Sequence, residues 1–126
     1  MPTHAAIWID HKEAHIFHVH ADAVDSATVL APQHHLHRHP KGPGHGEARE
    51  HPDDAHRFFA EVARACHGAD TILLVGPSSA KFEFFKYVDQ HERLVASRVV
   101  GIESADHQTD GEIVAHARSY FKTSDA

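Results

Sequence analysis

The sequence predicts one α/β domain, a mixed five-stranded sheet in the order βββαβαβα with helices packed on it. Three observations lead there. Two short apolar stretches, Ala5–Ile9 and Ala14–His20, flank a polar turn as the arms of a hairpin do. The run Thr71–Val75 is apolar on both faces, which suits a buried central parallel strand. Beyond residue 52, strands alternate with helix-period segments, so parallel crossovers follow the opening meander.

Length and composition fit that class. A chain of 126 residues makes one domain, here residues 1–126, and its 28 Leu, Ile, Val and Phe residues can build one core. The lone cysteine, Cys66, cannot form an internal disulfide, so the expected compartment is the reducing cytoplasm. Ala5–Ile9 is the longest apolar run, far below the ~20 residues of a membrane span. Met1-Pro2-Thr3-His4 lacks the basic and apolar regions of a signal peptide, and no membrane partner is expected.

Taken in order, Ala5–Ile9 is the first strand and Asp10–Glu13 the turn. In the second strand His15, Phe17 and Val19 share one face, while Ile16, His18 and His20 share the other. Ser26–Ala31 is the third strand, stopped by Pro32. Pro52-Asp53-Asp54 suits the first turn of a helix, where proline fits and acids meet the positive dipole end. Phe58, Phe59, Val62 and Cys66 then recur at helical spacing until Gly68, which makes Cys66 a buried structural thiol. After Thr71–Val75, Gly76–Ser79 breaks the chain, and Ser78 or Ser79 caps a helix over 80–91 that turns Phe82, Phe85 and Val88 inward. Arg98–Ile102 is the last strand. The helix 110–121 buries Ile113, Val114, Ala117 and Phe121, with Thr109 and Glu112 at capping-box spacing.

Residues 33–51 form a loop of His, Gly, Pro and charge, and compact domains carry loops of that length for function or leave them unstructured. The chain's sixteen histidines sharpen the question. Net charge is −6 with His neutral, which argues against a standing basic surface for nucleic acid, yet full protonation would carry it to +10. In the loop, Arg38, Lys41 and Arg49 outweigh Glu47 and Glu50 by one charge, and its six histidines could raise this to +7. A phosphate backbone stabilises imidazolium, so RNA binding and protonation would reinforce each other.

The strand Ile7–Asp10, the long loop, the helix at 54–66, Ile72-Leu73-Leu74-Val75-Gly76-Pro77-Ser78 with Lys81-Phe82-Glu83, and Asp106–His116 together resemble a known family. The chain is similar to the middle domain of archaeal and eukaryotic class 1 release factors and of Pelota. It looks closest to the stand-alone bacterial "translational machinery" proteins similar to that domain alone. The resemblance covers most of the chain and implies a ribonuclease-H-like topology with the ribosome or tRNA as partner. In release factors the corresponding loop carries Gly-Gly-Gln, which positions water against the peptidyl-tRNA ester. Here Lys41-Gly42-Pro43-Gly44-His45-Gly46 keeps glycines, but no glutamine follows a glycine pair, and the loop's only glutamine is Gln33 at its base. A complete release-factor mechanism is not expected.

The leading expectation is therefore a non-enzymatic RNA-binding module. Arg38, Lys41 and Arg49 supply charge, Gly42, Gly44 and Gly46 shape the loop, and His45 sits at its tip. The bland alternative for the same residues is a solvated His-rich loop. A rival function is metal binding or buffering, with His35, His37 and His39 as candidate zinc or nickel ligands. A third is a tRNA-ester hydrolase using His45 as its catalytic group.

Other motifs have structural readings. Asp10 ends a strand as nuclease carboxylates do, but Asp70 falls at the opposite strand end, so Asp10 reads as a turn residue. Gly76–Lys81 has the strand-turn-helix order of a phosphate loop, but Ala80 stands where a Walker A motif needs glycine. Trp8 belongs to the core.

Overall fold

Strand β1 owes its central place to residues that are apolar on both sides, Ala5-Ala6-Ile7-Trp8-Ile9, all of them buried. The computed structural model describes residues 3–32, 52–106 and 108–125. Its elements run β1 (His4–Ile9), β2 (Glu13–Val19), β3 (Val24–Leu30), α1 (Pro52–Ala65), β4 (Thr71–Gly76), α2 (Ala80–His91), α3 (Arg93–Ser97), β5 (Val99–Ser104) and α4 (Asp110–Asp125). The sheet order is β3-β2-β1-β4-β5. Strands β1, β2 and β3 pair antiparallel, while β1-β4 and β4-β5 pair parallel. This is the mixed α/β sheet that the sequence predicts.

Period-two alternation sorts the core into two layers. Ile7, Ile9, Ile16, Ile72 and Leu74 face α1 and α2, where Phe58, Phe59, Val62, Phe84 and Val88 cover them. Trp8, Phe17, Val19, Leu73 and Val75 face α4, which supplies Ile113, Ala117 and Phe121. Cys66 lies in the first layer, and burial pushes its thiol up to about 11, which leaves it an inert packing group. Gly76 is fixed by a close approach: a Cβ there would collide with the backbone carbonyl of Ile9.

Helix α2 departs from expectation. Phe82 does not face inward; it is 54% exposed, and Phe84 takes the core position. Three phenylalanines at 82, 84 and 85 cannot share one stripe at 100° per residue, and the stripe that packs is 81, 84 and 88. Lys81 is therefore buried, only 2% exposed, with its Nζ donating to Ser78 O at 2.6 Å. Ser79 occupies the cap position without a side-chain cap bond, its hydroxyl donating instead to Glu83 Oε2 at 2.8 Å. The one-turn helix α3 has no counterpart in the sequence reading.

Candidate functional site

Strands β1, β4 and β5 all end at one edge of the sheet, because they are parallel neighbours. The β1–β2 turn and the N-termini of α2 and α4 lie at the same edge. So do both flanks of segment 33–51: β3 pairs its final Leu30 with Glu13, Ala31 N donates to Lys12 O at 2.9 Å, and Asp54 and Ala55 of α1 line a cavity with His11 and Ala31. In α/β sheets this carboxyl edge is where ligands bind. The topology thus places the described residues that flank the segment at the edge most suited to a site.

Each wall of the edge follows from local sequence. Asp10 closes the turn as an Asx motif, its Oδ1 accepting from the amides of Lys12 at 2.8 Å and Glu13 at 2.9 Å. Asp10 is a turn residue, and Asp70 hydrogen-bonds Thr3 at the far end of β1, so no nuclease constellation forms from them. His11 reaches from the turn to Glu83 of α2 at 3.2 Å, and Ser79 holds that carboxylate. Beneath them is a shallow cavity of about 50 Å³ lined by His11, Ala31, Pro32, Asp54, Phe58 and Glu83 among others.

The opposite face of the edge is closed by the approach to α4. Thr109 and Glu112 form the expected capping box, Thr109 N donating to Glu112 Oε1 at 2.9 Å and Glu112 N to Thr109 Oγ1 at 3.1 Å. Trp8 Nε1 donates to Asp106 O at 3.4 Å. His15 stands edge-on to Trp8, with Nε2 3.3 Å from Glu13 and Nδ1 4.0 Å from Asp110.

The charge of this edge is instructive. Its described part gathers Asp10, Glu13, Asp54, Glu83, Asp106 and Asp110, against Lys12, Arg57, which pairs with Asp54 at 3.7 Å, and the buried Lys81, so acids outnumber cations. Such a rim repels phosphate. The candidate RNA-contacting residues Arg38, Lys41, Gly42, Gly44, His45, Gly46 and Arg49, and the candidate metal ligands His35, His37 and His39, lie outside the described residues. The described residues fix only the two ends of their segment. Sequence reasoning did not find the His11–Glu83 bridge or the acidic rim, since both join residues far apart in the chain.

No protein-family model matches the chain, and no curated protein matches it. Its fold has clear relatives among solved structures. It is similar to Archaeoglobus fulgidus Pelota, with TM-score 0.65 and 13% identity over 94% of this chain and 31% of that one. Thermoplasma acidophilum Pelota follows, with TM-score 0.62 and 23% identity over 97% and 32%. An archaeal translation termination factor, aRF1, gives TM-score 0.56 and 12% identity over 98% and 38%. The chain spans about a third of the length of each. Fold and edge therefore define a class: an α/β domain built like one portion of Pelota and of archaeal termination factor, as the sequence resemblance implies.

Proposed function

We propose that the chain is a translation-associated module that contacts ribosomal RNA or tRNA through residues 33–51. The observation that supports this reading most is the departure of that segment from the carboxyl edge of a Pelota-like sheet. The acidic rim narrows the reading further. Phosphate contact is carried by Arg38, Lys41 and Arg49, while the described edge serves as a scaffold that RNA does not grip. The reading is one of binding, since the release-factor route to ester hydrolysis uses a Gly-Gly-Gln that this segment lacks.

Replacing Arg38, Lys41 and Arg49 together by Ala tests it. The slope of log affinity against log salt should fall by about 2–3, at roughly 0.7–0.9 for each phosphate that is no longer neutralised. Affinity should fall alike for unrelated RNA sequences. An unchanged slope would remove the segment from the interface.

A further inference from the structure

Nine histidines fall among the described residues, and seven of them have polar partners: His4 with Thr71, His11 with Glu83, His15 with Glu13, His18 with Ala65 O, His20 with Asp25, His67 with Glu92 and His116 with Glu103. Two differ. His56 of α1 and His91 of α2 have ring contacts but no hydrogen bond or ion pair to the described residues. They are also each other's neighbours, brought from helices separated by β4 to ring centroids 5.7 Å apart.

We propose that His56 and His91 form a two-imidazole site that takes a divalent transition-metal ion of the nickel, copper or zinc type, bridging α1 and α2. Imidazole nitrogen suits these ions. With each nitrogen about 2.1 Å from the ion, two rings have centroids roughly 5 Å apart on a tetrahedral centre and roughly 4.5 Å apart in adjacent positions of a square-planar or octahedral one. The observed separation needs only a small side-chain adjustment, and both residues are exposed, so an ion can enter.

The pair is held ready by Tyr87. That ring lies 4.8 Å from His91 and 5.3 Å from His56, and it packs on Phe59 of the core at 5.8 Å. Tyr87 thus fixes the floor on which both imidazoles rest, which lowers the ordering cost of binding. No group of three or more His, Cys, Asp or Glu side chains with ligand geometry occurs among the described residues. The protein supplies two ligands and water completes the shell. The proposal draws on none of the histidines of 33–51, and it does not depend on the RNA reading.

The test uses tag-free full-length protein in which His34, His35, His37, His39, His45 and His51 are replaced by Asn, removing competing ligands. Nickel chloride is added while the imidazole nitrogen resonances are followed by NMR. The His56 and His91 signals should broaden together and before those of the other histidines, at micromolar nickel. At a hundred times Kd the melting temperature should rise by about 5–10 °C. His56→Asn or His91→Asn, each at an exposed position, should weaken nickel binding by at least about tenfold, the lower end of what even outer-shell changes cost. Uniform broadening of all histidines, binding only at millimolar nickel, or a melting shift that survives either substitution would overturn the proposal.

Discussion

Both edges of the sheet carry side-chain pairs, but where β1, β4 and β5 begin, hydroxyl and guanidinium groups also tie elements together through backbone carbonyls, whereas where these strands end His–carboxylate pairs make several of the ties. At the starting edge Thr3 Oγ1 donates to Gly68 O at 2.9 Å, Arg98 Nη1 to Ala69 O at 3.1 Å, and Arg118 Nη1 to His20 O at 2.8 Å. At the ending edge His11 faces Glu83, His15 faces Glu13, and His116 faces Glu103 at 2.6 Å. Backbone groups satisfied by long side chains make a lock. Exposed side-chain pairs leave the backbone free of them and cost little to rearrange. The starting edge is thus built for stability, and the ending edge holds exchangeable charge above a rigid floor of Trp8 and Gly76.

The sharpest way to break this comparison is to remove the floor. Trp8 is 1% exposed, and Trp8→Ala should cost about 3–5 kcal/mol in urea unfolding. A much smaller loss would mean the ending edge has no rigid base. Next comes the lock. The Thr3 amide, donating to Asp70 at 2.8 Å, holds the Asp70 carboxyl below the usual carboxylate range. The charged form is the stabilised one, so its contribution is present above the ordinary carboxylate range and vanishes as pH falls through the depressed value. Asp70→Asn should therefore lower the urea midpoint at neutral pH, and the gap from wild type should close in strong acid.

Two smaller effects sharpen the contrast. Thr109→Ala removes one arm of the capping box and should cost about 1 kcal/mol by thermal unfolding. His11→Ala breaks a pair whose side chains are 50% and 51% exposed, and should move stability by less than about 0.5 kcal/mol. A loss from His11→Ala comparable to that from Trp8→Ala would show that the ending edge is locked as well.

Much of this architecture was legible in the sequence because its signals were local. Thr71–Val75 could only be a strand buried on both faces, and Thr109 with Glu112 announced the cap that forms. Phe82 was misplaced because three phenylalanines offered competing stripes, and the choice fell to packing against β4 and α1, which local periodicity does not contain. The burial of Lys81 follows from the same choice, its stem lying on the inward stripe while its ammonium finds Ser78 O. Helix α3 is one turn long and has no side-chain cap bond, so it gave no pattern to read. The composition of 33–51 marked a candidate site, but the acidic rim beside it arises from chain segments that only folding brings together. The His56–His91 pair is of the same kind, legible only once α1 and α2 are packed.

Under the proposed function, residues 33–51, and not the described edge, contact RNA. Co-sedimentation of tag-free protein with bacterial ribosomes, at low and near-physiological salt, tests it most directly when wild type is run beside Arg38→Ala/Lys41→Ala/Arg49→Ala. The account predicts saturable wild-type binding that survives physiological salt and is lost in the triple variant while its melting temperature is unchanged. Absence of wild-type binding at both salts, or equal binding by the two proteins, would contradict it.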